Sequence, residues 1–174
     1  MNPRERLRQK IRAVHDFPRS GILFRDITPL LQDKEALRLA CDLLVAPFLN
    51  RGIELVVGIE SRGFIFGAPV ALALDAGFTM TRKSGKLPGD TVTETYELEY
   101  GLERVEMHRD AVQPRQRVLL VDDVLATGGT AAATAELVRR LGGEVVGGSF
   151  LLELSYLEGR KRLIGTDVQV VLKF

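Results

Sequence analysis

The chain has 174 residues, with 24 Lys plus Arg against 23 Asp plus Glu, 45% hydrophobic and 27% charged residues. That length buries a core without covalent staples, and a formal charge of +1 excludes a strongly basic nucleic-acid sheath or an acidic tail. One cysteine, Cys41, and two histidines, His15 and His108, exclude an internal disulfide and a Cys-rich zinc site, and predict a reducing, cytoplasmic setting.

In chain order, residues 1–12 are rich in Arg and no apolar stretch follows them, unlike a secretory signal. Leu7, Ile11 and Val14 predict one face of a first helix, and Pro18, Ser20 and Gly21 break the chain before Ile22, Leu23 and Phe24. Asp33 reads as the N-cap of a second helix whose buried stripe is Leu37, Cys41, Leu44 and Phe48, ended by Gly52. The apolar run 55–59 predicts a strand buried on both faces. Ser61 to Gly63 is then a turn, followed by a helix to about Asp75 closed by Gly77, and a strand over 78–81. The uncharged run 63–74 is too short for the roughly 20 apolar residues of a membrane span. Phe64, Ile65 and Phe66 within it suit either core or a subunit interface.

Residues 84–108 break the pattern. Their Thr-rich alternation, 91–96, and the turn at Glu99-Tyr100-Gly101 predict an antiparallel excursion of the kind that forms a flexible lid. Strands follow at 118–121, 145–152 and 168–172, with a helix from Thr130 that buries Leu137, Val138 and Leu141 and stops at Gly142-Gly143. The expected fold is α/β, a single domain over 1–174. It is a doubly wound, mostly parallel sheet flanked by helices, with a small N-terminal hood and the lid.

The most informative stretch is Val118-Leu-Leu-Val-Asp-Asp-Val-Leu-Ala-Thr-Gly-Gly-Thr130. A buried strand runs through two acids into a loop that opens a helix. Gly128 and Gly129 let backbone N–H groups converge, Thr127 and Thr130 add hydroxyls, and the helix dipole favours an anion by about 0.3–1 kcal/mol. The loop is neither a Walker A nor a dinucleotide fingerprint. Asp122 and Asp123 would repel a phosphate unless they faced something else. A ribose 5-phosphate satisfies both halves, with phosphate on the loop and the vicinal hydroxyls on the acids. Judged alone, an Asp-Asp pair is a solvated turn; joined to this strand, loop and helix it reads as a site.

This run resembles the ribose-phosphate-binding motif of the type I phosphoribosyltransferases, in the form carried by their adenine-using members. The likeness extends through Phe17-Pro18, Gly21, residues 24–29, Glu60-Ser61-Arg62-Gly63-Phe64, residues 82–89 and Leu98-Glu99-Tyr100-Gly101. Ser84 departs from it, standing where relatives commonly carry a basic residue.

The resemblance implies transfer of ribose 5-phosphate from phosphoribosyl pyrophosphate to adenine, giving AMP and pyrophosphate. It implies ribose-phosphate binding by Asp122, Asp123, Ala126, Thr127, Gly128, Gly129 and Thr130. Pyrophosphate falls to Ser61, Arg62, Arg82, Lys83, Lys86 and Tyr100, with Mg2+ held mainly by substrate oxygens and water and no protein metal ligands. Adenine falls to Leu23, Phe24, Arg25 and Leu154, with the Phe24 ring on one purine face and Leu154 on the other. Glu99 is the catalytic proton-handling group and Tyr100 a shield from water. A homodimer is implied, with no nucleic-acid or membrane partner. Taken singly, Lys86 is equally a solvated lysine, Phe24 ordinary core, and Arg25 a structural partner of Asp26 or another acid. The alternatives are a phosphoribosyl-pyrophosphate-binding regulator, which would carry an added DNA-binding domain, and a 6-oxopurine transferase.

Overall fold

The computed structural model describes residues 2–97 and 101–174, which form two compact units, Met1–Leu43 and Leu44–Phe174.

In the first unit, helix α1 (Pro3–Arg8) starts with the Asn2 side chain accepting from the Arg4 N–H at 3.0 Å. It ends before Ile11 and Val14, so the expected three-residue face is wrong: only Leu7 lies on the helix. Val14 belongs to strand β1 (Arg12–His15), which pairs antiparallel with β2 (Leu23–Asp26). The ladder prevails because it sets Arg12 directly opposite Asp26, where the two side chains form an ion pair. Asp26 also accepts from the Thr28 N–H at 2.9 Å and hydroxyl at 2.6 Å, at the start of α2 (Thr28–Gln32). Five residues are too few to leave a periodic signal, so α2 is invisible in the sequence pattern. Asp33 does cap α3 (Lys34–Val45), accepting from the N–H groups of Glu35 and Ala36. The fully buried stripe is Ala36, Ala40, Leu44 and Phe48, rotated from the expected one; Leu37 and Cys41 are half-buried.

The second unit is built on a seven-stranded sheet. Its strands are β3 (Leu55–Ile59), β4 (Gly77–Lys83), β5 (Thr91–Glu97), β6 (Leu102–His108), β7 (Arg117–Leu125), β8 (Glu144–Glu153) and β9 (Asp167–Lys173). They lie in the order β5-β6-β4-β3-β7-β8-β9. Strands β4, β3, β7, β8 and β9 are parallel, and the chain winds outward from β3 in both directions, as the doubly wound expectation required. Helix α4 (Gly63–Ala73) joins β3 to β4, and α5 (Gly129–Arg140) joins β7 to β8. Asp75, at φ 54°, takes the left-handed position after α4, and Gly77 instead begins β4. Leu55, Val57, Val118 and Leu120 pack with Leu137 and Val138 of α5 and with Val105 and Met107 of β6. Truncating such a leucine to alanine costs about 2–5 kcal/mol.

The excursion is antiparallel as expected, and it is also hydrogen-bonded into the main sheet, with Arg82 opposite Glu106. Both edge strands are occupied from outside. Arg140 donates to the Thr93 carbonyl of β5 at 3.0 Å, and Arg160 donates to the Val168 carbonyl of β9 at 2.7 Å.

Strand β7 does not stop at Val121. It continues to Leu125 because β8 runs beside it throughout, pairing Asp122 with Phe150 and Val124 with Leu152. Asp122 and Asp123 are therefore strand residues, not a turn. Gly128, at φ 79°, then opens α5. Here the backbone meets another backbone: a Cβ on Gly128 would overlap the Gly159 carbonyl oxygen, and a Cβ on Gly159 would overlap the Ala126 carbonyl oxygen. Gly159 starts one of two short 3-10 turns, Ser155–Leu157 and Gly159–Arg162, that the sequence pattern did not reveal.

Two outcomes are expected. Hydrogen bonds from Thr28 and then Arg12 lower the Asp26 pKa from its ordinary 3.8 to about 2. A depressed folded-state pKa gives stability that is full above the ordinary value and lost as pH falls toward the folded one. Urea unfolding should show Asp26→Asn less stable by about 1–3 kcal/mol at pH 7, with the gap closing between pH 4 and pH 2. Gly159→Ala should cost about 1–3 kcal/mol by the same assay. Gly165→Ala is the control for backbone strain without collision, since Gly165 has φ 74° and nothing within 4 Å of its Cβ position.

Candidate active site

The carboxyl ends of β3, β4 and β7 carry a dense arrangement of charges. Strand β3 runs into Glu60, Ser61 and Arg62 before α4; the Glu60–Ser61 peptide is cis. Strand β4 ends in Arg82 and Lys83. Strand β7 delivers Asp122 and Asp123, then the loop of Ala126, Thr127 and Gly128 and the first residues of α5, Gly129 and Thr130.

Asp123 is 3% exposed and forms an ion pair with Arg62, Nε to Oδ2 at 2.8 Å. The family resemblance assigns these two residues to different parts of the substrate. The structure joins them, which explains how a charge survives burial at Asp123. Burial raises the Asp122 pKa well above the ordinary value, and the neighbouring Asp123 raises it further. Burial also raises Asp123, with Arg62 pulling it back. Two crowded carboxyls with one cationic partner are an acceptor pair suited to vicinal hydroxyl donors.

The basic cluster has an organiser that sequence reasoning missed. Glu60 Oε1 accepts from Lys86 Nζ at 2.6 Å and Arg82 Nη2 at 3.3 Å, and Oε2 accepts from the Lys83 N–H at 2.7 Å. Burial pushes the Glu60 pKa up, but these donors outweigh it and leave the group below its ordinary value. Arg82 also donates to the Lys86 carbonyl at 3.0 Å, so Lys86 is drawn into the cluster and is not an idle surface lysine. Glu106, 4% exposed, accepts from the N–H groups of Lys86 and Leu87, both at 2.9 Å, and pins the loop that carries Lys86.

A second group ties the hairpin of β5 and β6 to the loop. Thr130 Oγ1 donates to Tyr96 Oη at 3.0 Å, Tyr96 Oη donates to Glu103 Oε2 at 2.7 Å, and Lys83 Nζ donates to Glu103 Oε1 at 3.1 Å. These four side chains and Glu60 line a cavity of about 200 Å3. Its wall includes Thr81, whose fully buried hydroxyl has no hydrogen-bond partner among the described residues. Tyr96 and Glu103 could have been found from the sequence: a hairpin turning at Gly101 sets them opposite one another in the ladder.

Of the other expected residues, Leu23, Phe24 and Arg25 lie half-buried on β2 of the first unit, where Phe24 packs edge-on to Phe17 at 5.1 Å. Leu154 follows β8 in the second unit and is half-buried. Ser61 is exposed in the turn after β3. Glu99 and Tyr100 lie outside the described residues. Among the described residues, no group of three or more His, Cys, Asp or Glu side chains is placed to hold a metal ion, and no helix is long and apolar enough to cross a membrane.

A family model, the phosphoribosyl transferase domain, matches residues 31–164. The adenine phosphoribosyltransferase of Desulfitobacterium hafniense is 56% identical over 164 residues, covering 94% of this chain and 95% of the relative. The crystal structure of adenine phosphoribosyltransferase from Rhodothermus marinus is 57% identical, covers 99% of this chain and 98% of its own, and superposes with a TM-score of 0.95. The Saccharomyces cerevisiae enzyme, solved with an imino-altritol bisphosphate and adenine, is 38% identical with a TM-score of 0.92, over 98% of each chain. On this match of fold, motif and sequence along nearly its whole length, the chain belongs to the phosphoribosyltransferase family.

Proposed function

We propose that this protein is a purine-salvage transferase that converts adenine and phosphoribosyl pyrophosphate to AMP and pyrophosphate. The observation that carries the reading is the end of β7, where two adjacent carboxyls, Asp122 half-buried and Asp123 buried, lead into a glycine loop and a helix N-terminus. The names of the relatives above support adenine as the base.

In this mechanism adenine N9 attacks C1′ of the ribose, the bond from C1′ to the diphosphate oxygen breaks, and the N9 proton leaves. Asp122 and Asp123 hold the 2′- and 3′-hydroxyls, and their negative charge favours the positive character that develops at C1′. The N–H groups at Ala126 to Gly129 and the hydroxyls of Thr127 and Thr130 hold the 5′-phosphate. Arg62, Arg82, Lys83 and Lys86, with Ser61, meet the diphosphate. Arg62 is placed to do this while paired to Asp123, so it fixes the leaving group relative to the sugar. Mg2+ arrives on the diphosphate as part of the substrate and offsets its charge. That reading is supported by the acids near the site, since Asp123 is paired with Arg62 and Glu60 with Arg82 and Lys86. Glu99 handles the adenine proton and Tyr100 shields the site from water.

Adenine presents an acceptor at N1 and a donor at its 6-amino group, which backbone groups of residues 23–25 match without an ionised side chain. A 6-oxopurine inverts that pattern and would leave groups unpaired at about 1–3 kcal/mol each.

A cytoplasmic homodimer completes the reading. Helix α4 is apolar on every side, yet Ile65 is 41% and Leu72 83% exposed, and Phe78, whose ring packs against Phe64, is 37% exposed. Phe66 is wholly buried, so of the three residues 64–66 only Ile65 is open enough to serve an interface. A helix apolar all round wants cover on both sides, and a second copy supplies it.

The deciding assay offers adenine, hypoxanthine and guanine together with phosphoribosyl pyrophosphate and Mg2+. AMP should dominate; preferential formation of IMP or GMP would overturn the backbone readout, and binding without pyrophosphate release would favour the regulator. Asp123→Asn should lower turnover by at least about tenfold, the scale of a lost charge-assisted hydrogen bond. In sedimentation, Leu72→Glu should shift the protein from dimer toward monomer.

A further inference from the structure

We infer that Tyr96 and Glu103 are positioning residues that hold Thr130 and Lys83 in reserve, so that substrate anions must displace an internal hydrogen-bond chain to reach both. The inference rests on the reading of Thr130 as a phosphate ligand and Lys83 as a diphosphate ligand.

The argument is a count of hydrogens. Glu103 accepts from Tyr96 and from Lys83, and these two donors hold its carboxyl below the ordinary range, so it is ionised at neutral pH. An ionised carboxylate has no hydrogen to give, so the single hydroxyl hydrogen of Tyr96 goes to Glu103. Burial, with Glu103 adding to it, raises the Tyr96 pKa to about 12, and that hydrogen stays in place. Tyr96 Oη can then only accept from Thr130, and the single hydroxyl hydrogen of Thr130 is spent on it. A phosphate monoester offers only acceptors at its ionised oxygens. To donate to phosphate, Thr130 must therefore release Tyr96. The same logic applies at the far end, where Glu103 stands against the Lys83 ammonium as a diphosphate oxygen would.

The chain is held by packing as well as polarity. The Tyr96 ring lies so close to the start of α5 that a Cβ on Gly129 would sit 2.8 Å from it. Tyr96 and Glu103 are direct cross-strand partners, so the two middle links of the chain are fixed to one ladder. The hairpin thus reads the occupancy of two anion positions through one pair of residues.

The test is calorimetric titration of the folded full-length chain with ribose 5-phosphate and, separately, with inorganic pyrophosphate. Tyr96→Phe keeps the ring and removes only the hydroxyl, so it frees Thr130; ribose 5-phosphate should bind about 2- to 10-fold more tightly. Thr130→Val should weaken ribose 5-phosphate, and adding Tyr96→Phe to it should then change nothing further. Glu103→Gln should tighten pyrophosphate by a similar factor. A purely structural role for Tyr96 would weaken binding, not strengthen it. If Thr130→Val weakens binding but Tyr96→Phe fails to tighten it, the reserve is overturned and the phosphate-loop reading stands. If Thr130→Val leaves ribose 5-phosphate binding unchanged, the reading of Thr130 falls and the inference falls with it.

Discussion

A charge taken out of water must meet its opposite, and the catalytic edge of this sheet is arranged around that requirement. Two carboxylates sit at the carboxyl ends of parallel strands and a third on the antiparallel hairpin, and each is paired with a cation that the proposed substrate also wants. Asp123 meets Arg62, Glu60 meets Arg82 and Lys86, and Glu103 meets Lys83. Strong local fields of both signs therefore coexist in a chain whose formal total is only +1. An unmatched basic pocket would be drawn to any polyanion. A matched one gives up its cations only to a ligand that supplies better-placed oxygens, which is a form of selectivity.

The same arrangement explains why one ion pair spans what first reads as two subsites. Diphosphate departure and ribose cation development are a single event at C1′. In the mechanism we propose, the Arg62 guanidinium is shared between the sugar-binding acid and the leaving group and keeps the two ends of that event in register. The loop backbone contributes a separate constraint. Its conformation is set by the close approach of Gly128 and Gly159, so the anion loop is backed by a turn that lies 31 positions further along the chain.

Much of this was legible in the residues themselves. The parallel strands announce themselves because burial on both faces demands uninterrupted apolar runs such as Leu55–Ile59. The glycine loop announces itself because converging N–H groups need residues without side chains. What escaped reading was decided by partners distant in sequence. Arg12 finds Asp26 and turns an expected helix face into a ladder. Strand β8 runs on beside β7 and carries the two acids into the strand. Glu60 reads as the first letter of the Glu60-Ser61-Arg62-Gly63-Phe64 motif, and only the fold brings Arg82 and Lys86 to it. For Tyr96 and Glu103 the hairpin register gives the pairing, but the alternating periodicity says nothing about Lys83 and Thr130, which the fold brings to them.

An open sheet has two borders, and each is a template on which a foreign strand could grow. In this molecule a guanidinium already occupies a carbonyl on each outermost strand, Arg140 on β5 and Arg160 on β9, and each is itself tethered to a glutamate, Glu94 and Glu153. Such clasps frustrate continuous edge-to-edge pairing. On each border, the row of carbonyls that an incoming strand would need is thus broken at one position by a side chain of the same molecule.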